Sequence, residues 1–169
     1  MRDIINNEML KKNLFSFLFV ILIFVLDRSS KFLILEKSKS LETLNININS
    51  FLNFNLVWND GIAFGLLSFT HNTYYNVITI IIIFITILII WFAYKSKGFE
   101  KMSFLMITGG SLGNIFDRLY YSSVIDFIDL NYKNFHWFIF NVADIFITLG
   151  VVILICLEIF KLHKNEKNF

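Results

Sequence analysis

The chain has 169 residues, of which 56% are hydrophobic and 17% are charged, with no proline and a mean hydropathy of +0.65. This composition argues against an ordinary soluble domain, in which about half of the residues are apolar and about a quarter are charged. The formal net charge of +2 is spread over separate segments rather than one basic stripe, which argues against a nucleic-acid partner. The single cysteine, Cys156, excludes an internal disulfide framework.

Residues 14–35 form the first of four segments that are apolar enough for a membrane-spanning helix, which takes about 20 residues. A cleaved signal peptide is the alternative for this segment. No small-residue cleavage site follows, however, and the apolar pattern resumes at Phe32, so we expect a retained helix. Asp27 and Lys31 are four residues apart on one helical face, and a structural ion pair and a functional role are equally compatible with that spacing.

Residues 41–66 carry strand signals. The run LNININ places Leu44, Ile46 and Ile48 on one face of an extended chain, and Asn59-Asp60-Gly61 is a turn signal after an aromatic stretch. A small sheet with unpaired edges cannot lie bare in hydrocarbon, so we expect it at the outer membrane surface. The side chains expected to point toward lipid are Phe51, Phe54, Trp58 and Phe64.

Three further apolar segments follow, at about residues 74–94, 99–120 and 136–160. The predicted fold is an integral membrane all-α bundle of four transmembrane helices with a small β-sheet at the outer membrane surface. We expect residues 1–169 to form a single membrane domain. Lys and Arg are concentrated in both tails and in the turn at residues 95–101, which predicts cytoplasmic termini and outward-facing loops at residues 36–73 and 121–135.

Ionisable side chains inside these segments are energetically costly and therefore require an explanation. Asn114 precedes Asp117 by three residues, and Asn141 precedes Asp144 by the same spacing, so each amide is expected to orient the carboxylate on its own helix. For the group that includes Asp117 and the adjacent Arg118, a self-satisfied polar cluster between helices is an alternative. Asp144 has no Lys or Arg within a helical turn, so it needs either a proton or a function.

Two more aspartates lie in VIDFIDL, just past the third segment. We expect Asp129 to be a solvated loop residue and Asp126, between Ile125 and Phe127, to fold back toward the membrane. Two carboxylates brought together in a low-dielectric site share one proton, as in aspartic proteases, where one activates water and the other donates to the carbonyl. From the residues alone, the partner of Asp144 is either Asp117 or Asp126.

Other chemistries have less support. The sequence has no HExxH motif, and its three histidines are scattered, which disfavours a zinc site. Ser30 and Lys31 are adjacent, so their side chains diverge by about 100° on a helix and make a poor nucleophile–base pair. A proton-coupled transporter and a structural membrane scaffold are the remaining rivals, although the first would place acids along a pore and the second leaves Asp144 unexplained.

Five segments, taken together and in this order, make the chain resemble the bacterial lipoprotein signal peptidases, or signal peptidase II. The segments are Asp27-Arg-Ser-Ser-Lys31, Asn59-Asp-Gly-Ile-Ala-Phe64-Gly, Gly109-Gly-Ser-Leu-Gly-Asn114-Ile-Phe-Asp117-Arg118, Val124-Ile-Asp126-Phe and Phe140-Asn141-Val-Ala-Asp144. The resemblance implies that Asp126 and Asp144 are the catalytic pair and that no metal or cofactor takes part. The residues it implies to be supporting or substrate-binding are Asp27, Lys31, Asn59, Asn114, Asp117, Arg118 and Asn141.

The resemblance also implies a substrate and a location. The substrate would be a prolipoprotein whose cysteine already carries a diacylglyceryl group, cleaved just before that cysteine near the outer leaflet of the bacterial cytoplasmic membrane, with membrane lipid as the other partner. The chain departs from the family at three places: Arg28 replaces a frequent glutamine, Asp60 replaces a frequent threonine, and the proline often found before the last motif is missing. These departures bear on loop shape and substrate preference rather than on the proposed catalytic pair.

Overall fold

The computed structural model describes residues 2–39, 45–61, 72–132 and 135–166. Within these ranges the chain forms four α-helices and one four-stranded antiparallel sheet, which confirms the predicted combination of a helical protein with a small sheet. The helices are α1 (Arg2–Ser38), α2 (Asn72–Lys95), α3 (Gly98–Tyr121) and α4 (Val142–Glu166). The strands are β1 (Asn45–Asn49), β2 (Leu52–Asn59), β3 (Val124–Tyr132) and β4 (Phe135–Phe140).

The helices expose apolar rather than polar surfaces. Among the described residues, two segments are long and apolar enough to cross a membrane, Tyr74–Lys95 in α2 and Val142–Lys161 in α4, with mean hydropathies of 2.9 and 2.5. Only 17% and 11% of these segments are buried within the protein. A helix at the core of a soluble protein would bury most of such a surface, so these two helices have the character of lipid-facing spans.

Helix α3 contacts each of the other three helices and occupies the centre of the bundle. Its glycines permit this close packing. A Cβ atom added at Gly110 would lie 2.5 Å from the carbonyl oxygen of Ala143 in α4, and one at Gly113 would lie 2.6 Å from a carboxylate oxygen of Asp27 in α1. Both distances are shorter than non-bonded atoms tolerate, so small residues are required where α3 meets α1 and α4.

The strands pair in the order β1-β2-β3-β4. In the β2–β3 pairing, Val57 lies opposite Asp126 and Asn59 lies opposite Val124. The sheet packs on the end of α1 through a cluster of three buried residues, Ile34, Ile125 and Phe127. These contacts place the start of β3, and with it Asp126, directly beside the helical bundle.

Several sequence-based expectations about this region are wrong. The fourth helix begins at Val142 rather than near residue 136, because the aromatic run Phe135–Phe140 pairs with β3 as strand β4. The expected alternation in β1 is interrupted by a register shift between Asn47 and Asn49, so Ile46 is half-buried while Ile48 is 49% exposed.

The aromatic residues of the sheet also divide differently from the prediction. Phe54 turns toward the protein core, where its ring packs edge-on against Phe127 at a centroid distance of 5.8 Å. Phe51 and Trp58 are exposed, as expected of residues facing lipid or the interface. The expectations for Leu44 and Phe64 fall outside the described residues.

Candidate active site

Four charged side chains form a compact group where α1 meets α3, which we call the ion cluster: Asp27, Arg28, Lys31 and Asp117. The Lys31 Nζ atom lies 3.0 Å from Asp27 and 2.6 Å from Asp117. Arg28 lies 2.8 Å from Asp27 and 2.6 Å from Asp117. Two buried acids are therefore matched by two cations, which is the condition under which buried charges are tolerated.

The ion cluster also fixes backbone segments of other elements. Asp27 Oδ1 accepts a hydrogen bond of 3.0 Å from the backbone N–H of Ala143, in the first turn of α4. Asp117 Oδ2 accepts one of 3.2 Å from the backbone N–H of Ile125, next to Asp126. A carboxylate at a helix N-terminus satisfies an otherwise unpaired N–H group and interacts favourably with the helix dipole. The ion cluster thus anchors the starts of α4 and β3.

Asn114 links the ion cluster to Asp144. Its Oδ1 atom accepts a hydrogen bond of 3.1 Å from Lys31 Nζ, and its Nδ2 atom donates one of 2.8 Å to Asp144 Oδ1. An ammonium group can only donate, so Lys31 requires the amide oxygen of Asn114 on its side. The amide nitrogen is therefore directed at Asp144.

Asn141 caps α4 and holds the second acid. Its Oδ1 accepts from the Asp144 backbone N–H at 3.0 Å, while an Asp144 carboxylate oxygen accepts from the Asn141 backbone N–H at 3.2 Å. This reciprocal pair is a capping box. The amide nitrogen of Asn141 is left to donate to Asp126 Oδ1 at 2.6 Å and to Asn114 Oδ1 at 3.1 Å.

The expectation that each asparagine side chain orients the carboxylate three residues later is therefore wrong in its detail. The Asn114 amide holds Asp144 of another helix, and the Asn141 amide holds Asp126 of a strand. Asp117, the acid that follows Asn114, is held instead by the cations of the ion cluster. The amides connect different elements because α3, β3 and the start of α4 converge at this point.

Asp126 lies in β3 and is 3% exposed. Asn59, its diagonal neighbour on β2, donates to Asp126 Oδ2 at 2.8 Å, and Asn141 donates to the other oxygen. Burial, and after it the negative charge of Asp144, raise the pKa of the Asp126 carboxyl to about 7. The hydrogen bonds from the two amides and the charge of Lys31 act in the opposite direction without cancelling this effect.

Asp126 and Asp144 both line one cavity of about 450 Å³. No Lys or Arg in the described part of the chain forms an ion pair with either of these two acids. The rest of the lining combines polar groups with an aliphatic wall, and it includes Asn59, Asn114, Arg118, Ile82, Ile147 and Val151. A polar reaction site beside an apolar wall suits an amphipathic ligand.

Asp144 also contacts a second cavity, of about 320 Å³, whose remaining lining is mostly apolar and includes Leu130, Phe140 and Leu149. Arg118 fixes one edge of the 450 Å³ cavity by donating a 2.6 Å hydrogen bond to the carbonyl of Gly61. The Arg118 guanidinium also lies over the Tyr75 ring, at 5.1 Å from its centroid. Asp144 thus lines both the 450 Å³ cavity and the 320 Å³ cavity.

Several residues behave differently from the sequence-based expectations. Asp129 is buried, not solvated: it is 1% exposed in β3 and accepts a 2.7 Å hydrogen bond from Asn55. Ser30 donates to the backbone carbonyl of Asp27 and does not contact the Lys31 ammonium, whose contacts are with the ion cluster and Asn114.

Sequence reasoning gave Arg28 no role in the site and did not single out Tyr75. Arg28 bridges both acids of the ion cluster, and its guanidinium lies over the Phe116 ring at 4.8 Å. The position of Arg28 directly after Asp27 in the sequence is the feature that could have indicated this bridge. Within the described residues, no group of three or more His, Cys, Asp or Glu is arranged to hold a metal ion.

Comparisons with known proteins agree on one family. A family model described as signal peptidase II matches residues 19–160. A lipoprotein signal peptidase of Pelagibacter ubique is 47% identical over 165 residues, covering 96% of this chain and 99% of the relative. One of Francisella tularensis subsp. mediasiatica is 38% identical, covering 94% and 99%. A solved structure described as a bacterial membrane enzyme is similar with a TM-score of 0.70 at 31% identity, covering 90% of each chain.

Proposed function

This chain belongs to the signal peptidase II family, and on that premise we propose that it is an intramembrane aspartic endopeptidase acting on prolipoproteins. It removes the signal peptide from substrates whose cysteine carries a diacylglyceryl group, cleaving just before that cysteine. Asp126 and Asp144 are the catalytic pair. The supporting or substrate-binding residues are Asp27, Lys31, Asn59, Asn114, Asp117, Arg118 and Asn141.

The observation that carries this proposal is the shared cavity of Asp126 and Asp144. Both acids are held by neutral amide donors, and neither is paired with a cation of the described residues. Two carboxylates in such a site hold one proton between them. A pair with one proton contains both a base and an acid, as peptide hydrolysis by an activated water requires.

The surroundings of the two acids support a different role for each. Asp144 lies in the first turn of α4, where backbone N–H groups and the helix dipole stabilise a negative charge, so it acts as the base. Asp126, with its pKa raised to about 7, carries the shared proton. Asp144 takes a proton from water as the water oxygen attacks the scissile carbonyl, and Asp126 donates its proton to the carbonyl oxygen. Collapse of the tetrahedral intermediate returns a proton to Asp126 and transfers one from Asp144 to the leaving amine.

The arrangement of the bundle supports a membrane-embedded reaction. We propose that all four helices cross the bilayer, with both termini in the cytoplasm. Asp117 lies about 28 Å along α3 from Gly98, at 1.5 Å per residue, so the site is far from the basic turn between α2 and α3. This distance supports a site near the outer leaflet. The diacylglyceryl chains then remain in lipid while the peptide bond enters the cavity.

The deciding experiment is cleavage by the purified protein in lipid nanodiscs. We expect it to release a signal peptide that ends just before the cysteine of a diacylglyceryl-modified prolipoprotein, as identified by mass spectrometry, and to leave the unmodified prolipoprotein intact. Asp126→Asn and Asp144→Asn should each abolish cleavage. Asp129→Asn is the matched control, because Asp129 is a buried acid of the same strand that does not line the cavity.

The diacylglyceryl requirement and the two-aspartate mechanism can each be disproved separately. Equal cleavage of modified and unmodified substrate would remove the diacylglyceryl requirement. Full activity of both Asp126→Asn and Asp144→Asn would remove the two-aspartate mechanism.

A further inference from the structure

A third cavity, of about 890 Å³, lies at the end of the bundle opposite the catalytic pair. Its lining includes four lysines: Lys11 and Lys12 of α1, Lys97 of the turn before α3, and Lys101 in the first turn of α3. Lys11 is separated from Asp27 by 16 residues of the same helix, or about 24 Å at 1.5 Å per residue. The cavity is therefore distinct from the proposed active site.

None of these four lysines forms an ion pair with a described residue. Other lysines at the surface do: Lys39 pairs with Glu36, and Lys161 pairs with Glu100 and Glu158. Glu100 is near the cavity in sequence, but its carboxylate contacts Lys161 and Ser96. Among the side chains that the structure describes, no carboxylate therefore pairs with the four positive charges around this cavity.

The same cavity has an apolar side. Phe15, Phe99 and Leu105 line it together with Tyr94 and Met102, and Phe99 is 76% exposed. A small anion such as phosphate could use the lysines but would leave this apolar surface unused. A ligand that carries both a negative charge and a hydrocarbon chain would use both parts of the lining.

The position of the cavity indicates which such ligand is available. The basic segments at the ends of α1 and α3 are those expected in the cytoplasm, and about 24 Å of α1 separates them from Asp27, which approaches the hydrocarbon thickness of a bilayer. Anionic phospholipids are abundant in the leaflet that faces basic juxtamembrane segments, and they attract such segments.

We propose that this cavity binds an anionic phospholipid of the cytoplasmic leaflet, with its phosphate among Lys11, Lys12, Lys97 and Lys101 and an acyl chain along Phe15 and Phe99. The site does not depend on the proposed peptidase function. It would tie the N-terminal part of α1 to the start of α3 at the end of the bundle opposite the catalytic pair.

The test is retention of lipid by the purified full chain, measured by native mass spectrometry after exchange into detergent with defined phospholipids. We expect phosphatidylglycerol to stay bound and phosphatidylcholine, which has no net charge, to be lost. Inorganic phosphate, tested as a competitor, should not displace phosphatidylglycerol, because it cannot use the apolar wall. Displacement by phosphate would instead indicate a simple anion site.

Two double variants separate a specific site from diffuse attraction. Lys97→Gln/Lys101→Gln should reduce retention of phosphatidylglycerol about tenfold or more, because two headgroup contacts are lost. Lys95→Gln/Lys161→Gln removes the same number of charges from the same end of the protein, but its side chains lie elsewhere: Lys95 lies over the Trp91 ring and Lys161 pairs with glutamates. This control should retain the lipid.

A third variant tests the cavity itself without changing any charge. Ser16 lines the cavity, and Ser16→Phe would fill part of it while keeping all four lysines. We expect this variant to lose phosphatidylglycerol as well. Equal loss in both double variants, or full retention in Ser16→Phe, would overturn the proposal in favour of general surface attraction.

Discussion

The ion cluster and the proposed catalytic pair, Asp126 and Asp144, are two groups of acids with different partners. In the ion cluster, Asp27 and Asp117 are matched by Arg28 and Lys31, with four contacts between 2.6 and 3.0 Å. In the pair, the partners are the amides of Asn59, Asn114 and Asn141. The first group balances its charge internally, whereas no cation of the described residues forms an ion pair with the second.

One fold can therefore combine a stable anchor with the proposed active site. The buried acids with cationic partners hold the starts of α4 and β3 in place through hydrogen bonds to backbone N–H groups. Asp126, which is buried, and Asp144, which is half-buried, are oriented by amides, and a proton would relieve the energetic cost of their charges. Stability should therefore depend on the ion cluster and activity on the pair.

The strongest test of this division is substitution within the pair. Asp126→Asn and Asp144→Asn should each reduce cleavage of a diacylglyceryl-modified prolipoprotein by at least about a thousandfold, because general acid–base chemistry is lost. Neither should lower the midpoint of thermal unfolding in detergent, since the amide removes a costly buried acid. A variant that lost activity only because it unfolded would contradict this separation of stability from activity.

The reverse result is expected in the ion cluster. Lys31→Met should lower the free energy of unfolding by about 3 kcal/mol or more, because it leaves two buried carboxylates with one cation. Lys39→Met is the matched control: among the described residues Lys39 pairs with exposed Glu36, and such pairs contribute at most about 1 kcal/mol. Chemical denaturation of both variants in the same detergent gives the measurement, and equal losses would show that Lys31 is not structurally special.

The sequence predicted the helices of the bundle better than the sheet. Long apolar segments separated by basic turns are strong signals, whereas a short apolar run fits a strand or a helix equally well. The run Phe135–Phe140 continues into the apolar residues of α4, so the apolar pattern predicts one helix over both. The boundary signal was present as Asn141-x-x-Asp144, a capping pattern, but it was interpreted as a pair inside a helix.

The sequence predicts one acid of the site, Asp144, but not its partner. Spacing correctly marked Asp144 as an acid without a local cation, and residues alone could not choose between Asp117 and Asp126 as its partner. The choice depends on contacts between distant elements: Arg28 and Lys31 of α1 reach Asp117, while the start of α4 reaches Asp126. Such contacts follow from the packing of α3 against α1 and α4, which no local pattern contains.

The pH dependence of stability tests whether Asp126 binds a proton in the folded protein. The pKa of Asp126 is about 7 in the folded protein, above its unfolded value of 3.8, so the stability associated with its protonation is present below the unfolded pKa and is lost as pH rises through about 7. Between about pH 6 and about pH 8 this amounts to about 1 kcal/mol. The same loss should be absent in Asp126→Asn.

The measurement is the unfolding midpoint of both proteins across this pH range, with Glu158→Gln, an exposed acid near the opposite end of α4, as the control. Cleavage by the unaltered protein should fall over the same interval, because the pair loses its shared proton. If the unfolding midpoints of the unaltered protein and of Asp126→Asn changed in parallel with pH, Asp126 would not be the residue that carries the shared proton.

The smallest expected effect is also the most specific. Asn59→Ala removes the 2.8 Å hydrogen bond to Asp126 and should reduce cleavage roughly tenfold, the equivalent of one hydrogen bond to a charged or partly charged group. Because this bond lowers the pKa of Asp126, its loss should move the alkaline fall in activity to higher pH. Asn55→Ala, on the same strand, removes a 2.7 Å bond to Asp129, which does not line the cavity, and should leave the profile unchanged. A shift to lower pH in Asn59→Ala would mean that the amide stabilises the protonated acid rather than the carboxylate, which would contradict this expectation.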